Sequence, residues 1–295
     1  SGTSAVYTAL KALEIEPFSE VIVSAVTDPG GMMPIPLLNL IPMVADAAPG
    51  SFNSGPAQIE ALISPRTAAI IIAHIGGEPA DMPGILRVAR TYHLPVIEDC
   101  AQSHGARLDG QLVGAFGDLA AFSTMFGKHH CSGGQGGFVF TRDQALYEKV
   151  RRCSDRGKPF FLPAGSSNVT ASLNFNLNDL AAAIGRVQLR KLPGIVQRRR
   201  EIAARIAQEI DSLATVSFPS YLPGAEPSFW FLRLVFHPER AACAKDVYCQ
   251  ALIAEGLPVT ENYRAALPHT MDWFVHRRVF GASGYPWSSP QYTGD

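Results

Sequence analysis

Two short stretches of this chain carry side chains whose types and spacing suit chemistry. Val96-Ile97-Glu98-Asp99 reads as a buried strand that ends in carboxylates. One β-unit later, Phe122-Ser123-Thr124-Met125-Phe126-Gly127-Lys128 leaves a second strand and ends in a primary amine. Such an amine can hold an aldehyde as a Schiff base, while a sheltered carboxylate keeps a pyridine nitrogen protonated so that the ring draws electrons from a neighbouring carbon. Asp99 and Lys128 together meet the requirement of pyridoxal phosphate chemistry. Singly, Asp99 would serve equally as a strand-end cap, Lys128 as a solvated loop charge and Ser123 as a turn former. Gly2-Thr3-Ser4 opens a helix, where free N–H groups, the helix dipole and two hydroxyls can cradle a phosphate; a plain N-cap reads the same way.

These residues need a scaffold, and the chain alternates in a way that supplies one. Apolar spacing predicts helices over 5–14, 34–39, 57–63, 82–92 and 143–152, and β-rich runs predict strands over 20–26, 43–45, 68–73, 95–98, 120–123 and 137–141. Strands separated by helices imply a mostly parallel sheet with helices on both faces, in an α/β fold. Asp99, Gln102, Ser123 and Lys128 all fall at or just after strand ends, where ligands of open α/β sheets bind. A Gly/Pro/Ser-rich patch over 158–167 breaks the pattern. Beyond it, Asp179 is placed to cap a helix that Pro193 divides from a second one reaching Ile210. From Val216 the pattern becomes a strand over 229–236 and a helix over 244–255. We therefore expect a large α/β domain over 1–205 and a smaller α+β domain over 206–295.

Composition bounds the function classes. With 295 residues, 47% hydrophobic, 17% charged and a formal net charge of −1, the chain has no dense basic run that would favour nucleic acid. No apolar run is long enough to span a membrane. Five cysteines without C-x-x-C spacing argue for free thiols in a reducing compartment, with cytoplasm as the default, and against a disulfide framework or a metal site. The chain opens without methionine on Ser1-Gly2-Thr3-Ser4 and stops at Tyr292-Thr293-Gly294-Asp295, so both ends are expected to be incomplete.

In ordered succession, Gly2-Thr3-Ser4-Ala5, Pro65 to Ile70 leading to His74, Pro79-Ala80-Asp81-Met82, Ile97 to Gly105, Gly117-Asp118, Phe122-Ser123, Lys128, Gly133 to Gly137, and Asn174 with Ala181 to Gly185 and Gln188-Leu189 resemble the DegT/StrS family of sugar aminotransferases. The resemblance implies a fold-type-I pyridoxal phosphate enzyme with a smaller C-terminal domain, dimeric, with active sites at the subunit interface. It implies Lys128 as the Schiff-base lysine and Asp99 as the partner of the pyridinium nitrogen. Gln102 would lie near the cofactor's phenolic oxygen, and Ser123 with Gly2, Thr3 and Ser4 at its phosphate. Asn174 would reach the phosphate in the neighbouring subunit. The substrates implied are a keto group on a nucleotide-linked sugar or cyclitol and an amino-acid donor, glutamate or glutamine.

Two positions depart from the family pattern. Asp28 stands where an aromatic residue usually stacks on the cofactor ring, leaving Met32 or nothing aromatic as its cover, and Asn176 replaces a common arginine. The lysine position has two registers. Counting forward from Phe122-Ser123 gives Lys128, whereas counting back from the Gly-rich turn gives His129, the residue type of related sugar dehydratases. The forward count crosses no predicted insertion and is preferred; His129 and His130 would then line the site or be solvated. A dehydratase and a non-catalytic binder of cofactor or sugar nucleotide remain the alternatives to an aminotransferase.

Overall fold

The computed structural model describes residues 1–263 and 266–294. Helix α1 (Gly2–Ala12) leads into β1 (Glu20–Ser24), the short helices α2 (Pro29–Met32) and α3 (Pro34–Leu37), and β2 (Ile41–Ala45). Then come α4 (Pro56–Glu60), β3 (Thr67–Ala73), α5 (Met82–Thr91) and β4 (Val96–Asp99). A small hairpin of β5 (Arg107–Leu108) and β6 (Gln111–Leu112) precedes β7 (Leu119–Ser123), β8 (Gly137–Phe140) and α6 (Gln144–Ser154). These strands form a six-stranded sheet in the order β2-β1-β3-β4-β7-β8, parallel except for the β8 edge.

The strand sequences explain why the sheet is covered on both sides. Val21, Val23, Ile71 and Ile97 face one layer, where α1 supplies Val6, Ala9 and Leu10 and α6 supplies Val150 and Cys153. Ile22, Ile70, Ile72 and Val96 face the other, covered by Ile59 of α4 and by Met82, Ile85 and Ala89 of α5. Both faces being apolar, the strands read as continuous β-branched runs. Each fully buried isoleucine stabilises the fold by about 1.5–3 kcal/mol, and this holds the strand ends rigidly in place.

The C-terminal third is α7 (Asp179–Ile210), β9 (Val216–Ser217), β10 (Ala225–Glu226), β11 (Val235–Phe236), α8 (Lys245–Ala254) and α9 (Asp272–Val275). Two sequence expectations change here. Asn178, whose side chain accepts from the Ala181 N–H at 2.8 Å, caps α7 in place of Asp179. The helix also continues through Pro193 as one 32-residue element. Pro193 is exposed, so the carbonyl left without a donor can be hydrated and the proline costs less than in a core helix. The expected strand over 229–236 shrinks to Val235–Phe236, because Phe229 takes a left-handed φ of 52° and the chain bends through Trp230. Trp273 and Phe274 return to pack against the α1 side of the sheet.

Candidate active site

Because β1, β3, β4 and β7 are parallel, their carboxyl ends bring Ser24, Ala73, Asp99 and Ser123 to one edge of the sheet. Asp99 is buried there, and its Oδ1 accepts from the Ala101 N–H at 3.0 Å. Oδ2 faces Gly31 of α2, where a Cβ would stand 2.7 Å from it and 2.6 Å from Thr27 Oγ1. The glycine thus leaves room beside the carboxylate. Burial pushes the Asp99 carboxyl above its usual range, against the Ala101 hydrogen bond and the charge of Lys128; Asp28 adds to the rise. Such a carboxylate gains from a positive ring nitrogen placed against it.

Lys128 follows Ser123 by a tight turn in which its N–H donates to the Met125 carbonyl at 2.9 Å. Its Nζ lies 4.0 Å from the centre of the Trp230 ring. Burial lowers its pKa, and the Asp99 and Asp28 carboxylates oppose that shift. The neighbouring histidine points elsewhere. His129 is buried, contrary to a solvated loop, with Nε2 3.0 Å from the Ser228 carbonyl oxygen; burial brings its pKa down to about 4. His130 is likewise buried, with Nε2 2.9 Å from the Gly185 oxygen. In this geometry the amine and His129 are not interchangeable.

The first turn of α1 abuts the end of β7. A Cβ on Gly2 would stand 2.8 Å from Ser123 Cβ and 3.3 Å from its Oγ, so only a glycine lets the helix start approach the hydroxyl this closely. Thr3 is exposed beside Gly30, with its hydroxyl available at the same helix end. Ser4 is committed differently: its N–H donates to Ser1 Oγ at 3.1 Å and its hydroxyl lies 3.0 Å from the same atom. Gln102 is fixed at both ends of its amide, Oε1 accepting from the Gly76 N–H at 2.8 Å and Nε2 donating to the Tyr263 hydroxyl at 2.9 Å. Asn174 is exposed within the irregular 155–178 stretch, where its Oδ1 accepts from Asn176 and its backbone pairs with Asp155. Within one chain the structure therefore gathers Asp99, Lys128, Ser123, Gly2, Thr3 and Gln102, and leaves Asn174 on local partners.

Met32 does not cover the site, since it is fully buried in the α1-side core. The aromatic residues near the lysine come from elsewhere. Trp230 contacts Phe231 at 5.7 Å, and Phe231 packs edge-on against Tyr263 at 4.9 Å. Sequence reading missed this group by treating 229–236 as a strand, although three aromatics in succession do not alternate as a half-buried strand should.

Glu98, one residue before Asp99, faces the opposite way and has a structural task. It accepts from the N–H groups of Gly114, Phe116 and Gly117 and bonds His74 Nε2 at 3.0 Å. Burial raises its pKa, but His74 and the backbone donors outweigh that and leave it below the usual range. Ligand atoms of His74, Glu98 and Cys100 lie within 4.8 Å of one another. His74 Nδ1 nonetheless accepts from the Ala80 N–H, so Nε2 carries the proton and neither nitrogen has a lone pair for a metal ion.

Comparison with known proteins fits this geometry. The model of the DegT/DnrJ/EryC1/StrS aminotransferase family matches residues 1–284. The chain belongs to that family. It is 35% identical over 278 residues to UDP-N-acetyl-3-dehydro-α-D-glucosamine 3-aminotransferase of Acidithiobacillus ferrooxidans, covering 94% of this chain and 72% of that protein. It is 34% identical to GDP-perosamine synthase of Escherichia coli O157:H7, covering 73% of this chain and 58% of the relative. Among solved structures, a family member from Brucella abortus superposes with a TM-score of 0.84 at 28% identity, covering 93% of this chain and 72% of that one. S. venezuelae DesV gives 0.83 at 29%, covering 93% and 71%. The fold is that of the fold-type-I sugar aminotransferases, and the chain spans 58% to 72% of the length of these four proteins.

The residues present fit pyridoxal phosphate. An amine stands in the turn after β7, a buried carboxylate within its electrostatic reach has one oxygen facing a glycine, and a helix N-terminus meets a serine hydroxyl with no side chain between them. Together these match the aldehyde, ring nitrogen and phosphate of one cofactor.

Proposed function

We propose that the protein is an aminotransferase that uses pyridoxal phosphate to exchange the amino group of an amino acid, glutamate or glutamine, for the keto oxygen of a nucleotide-linked sugar. The observation that carries this reading is the convergence of Lys128, Asp99 and the Gly2–Ser123 contact at one edge of the sheet. The similarity to nucleotide-sugar aminotransferases supports the substrate class. When bound, the cofactor supplies an aldehyde that condenses with amines and a ring that draws electrons from the adjacent carbon.

The chain's own side chains then have defined tasks. Asp99 holds a proton on the ring nitrogen by its negative charge in a sheltered position. Burial biases Lys128 towards the neutral amine, the form able to take a proton from the substrate carbon and return it one atom away. Ser123 and the N–H groups of Gly2 and Thr3 hold the phosphate. Gln102, fixed by Gly76 and Tyr263, lines the side of the ring, and Ser4 braces the helix start. Net transfer turns the donor into a keto acid and the sugar ketone into an amine.

A homodimer completes this proposal, with Asn174 serving the partner's phosphate. Phe126, Leu173 and Leu180 support a partner surface, being 72%, 59% and 80% exposed on the lysine turn, beside Asn174 and at the start of α7. We place the cofactor-binding unit at residues 1–205 and the second unit at 206–295. Five free cysteines support a cytoplasmic setting, and among the described residues no helix is long and apolar enough to cross a membrane.

The test is borohydride reduction of the protein loaded with pyridoxal phosphate, followed by peptide mapping. Cofactor mass should appear on Lys128. A label on another lysine would remove Lys128 from the role, and cofactor retained without a reducible linkage would favour the dehydratase. Conversion of cofactor to its amine form by glutamate, followed by amination of a nucleotide-linked keto sugar, would establish the reaction.

A further inference from the structure

Trp230 is the aromatic partner of Lys128, and it is held both at its indole and along its backbone. Its indole N–H donates to the Gly127 carbonyl at 3.1 Å, on the residue before the lysine. Its backbone N–H donates to the Gly76 carbonyl at 2.8 Å, and the Ser228 N–H donates to the Gly77 carbonyl at 3.0 Å. Arg199 Nη1 reaches the Phe229 and Trp230 carbonyls at 2.8 and 3.3 Å. Phe229 adopts its left-handed φ of 52° at this bend, an arrangement that persists only where surroundings fix it. The face of the indole is thus presented to Nζ by contacts that do not involve Nζ.

Every charged or titratable group near Lys128 bears on what that face does. Asp99 and Asp28 attract the ammonium, while His104 and His129 are kept neutral at ordinary pH by burial, with pKa values of about 3 and 4. Arg199 stands beyond His129, and Tyr263 lies within the field of Asp28. Among the described residues neither carboxylate forms an ion pair with Lys128, whose close partner is the ring. An aromatic face stabilises a cation without occupying a carboxylate. Asp99 is thereby left for a ring nitrogen.

We propose that Trp230 is a positioning residue for Lys128: its indole face receives the side-chain ammonium whenever the amine is not joined to the cofactor, keeping the lysine in the site and off Asp99. The proposal rests on the role given to Lys128 above. Its test is made on cofactor-free protein, so the two can fail separately.

The experiment measures the rate of acetic anhydride labelling at Lys128 against pH by mass spectrometry, in the parent, Trp230→Phe and Trp230→Leu proteins. Losing the aromatic face removes a stabilisation of the charged form, so the midpoint should fall by about one unit in Trp230→Leu and by less than half of that in Trp230→Phe. If Trp230→Leu does not fold, biosynthetic replacement of tryptophan by 5-fluoro- and 5,7-difluorotryptophan should lower the midpoint stepwise at nearly constant shape. Equal shifts in the Phe and Leu proteins, or midpoints unmoved by fluorination, would overturn the proposal. If borohydride labelling of loaded protein falls on another lysine while the Trp230 effect on Lys128 persists, the catalytic reading fails and the contact stands.

Discussion

Gly31→Ala tests the Asp99 pocket without touching a charged group. An added Cβ would stand 2.7 Å from Asp99 Oδ2 and 2.6 Å from Thr27 Oγ1, whereas ordinary contact begins at 3.4 Å, so 0.7–0.8 Å must be absorbed. Turning Thr27 relieves one overlap and leaves the other, because both fall on the same atom. Thr27 and Asp99 are also buried among rigid strand ends, so little slack exists elsewhere. Overpacking of this size costs about 1–3 kcal/mol of stability, and a catalytic group displaced by nearly 1 Å loses up to about 100-fold in rate. Denaturant unfolding should therefore show a modest loss, while turnover at saturating cofactor falls by at least about tenfold. Gly134→Ala, with no atom within 4 Å of its Cβ, is the control and should stay within about 0.5 kcal/mol of the parent. Turnover of Gly31→Ala within twofold of the parent would refute the proposal that the space between Gly31 and Asp99 Oδ2 serves the ring nitrogen.

Other expectations follow from the same geometry. Asp99→Asn should lower transamination by about 100-fold or more while the circular dichroism spectrum is kept, because a neutral amide does not hold the ring nitrogen protonated; activity within tenfold would sink the role. Ser123→Ala should weaken cofactor retention by about 10- to 100-fold, the loss of one charge-assisted hydrogen bond of ~1.5–3 kcal/mol, as read by equilibrium dialysis. Glu98→Ala leaves three backbone donors and His74 without their acceptor and should cost about 3–5 kcal/mol in unfolding experiments. Because the folded pKa of Glu98 lies below its unfolded value, its share of stability is complete above the unfolded pKa of about 4.5 and is lost as pH falls through the lower folded value. The parent and Glu98→Ala stability curves should accordingly converge in acid. Gly194→Ala, exposed in α7 with nothing near its Cβ, should raise stability by about 0.5–1 kcal/mol in thermal melts.

How much of this was legible beforehand depends on the range of the forces involved. Ile70-Ile71-Ile72 and Val21-Ile22-Val23 are buried on both faces, so their β-branched runs revealed the strands, and with the strands the edge where Asp99 and Ser123 meet α1. The different fates of Glu98 and Asp99 were not legible, although adjacent strand residues must face opposite ways. Which of them meets the backbone donors of 114–117 depends on how that loop folds back, and no spacing encodes it. Pro193 misled for a related reason: a proline halts a helix only when the lost hydrogen bond and the ring clash are not accommodated, and in α7 it is exposed.

Trp230 reaches the lysine loop from 103 residues along the chain, a distance over which no local spacing signals the contact. The departure at Asp28 posed a local question, what stands by the cofactor ring in place of an aromatic, and local candidates such as Met32 were the natural answer. The structure instead buries Met32 in the core and sets Asp28 Oδ1 to accept from the Gly30 N–H at 2.9 Å, so this turn is committed to starting α2. The aromatic surface beside the amine is built from Trp230, Phe231 and Tyr263, joined to the sheet edge through Gly76, Gly127 and Gln102. Those contacts couple the C-terminal third to the lysine loop, the strand β3 exit and the strand β4 exit at once. A substitution in any of these glycines or in Gln102 should thus move the aromatic group and the amine together, which is why the midpoint of Lys128, rather than turnover alone, is the informative measurement.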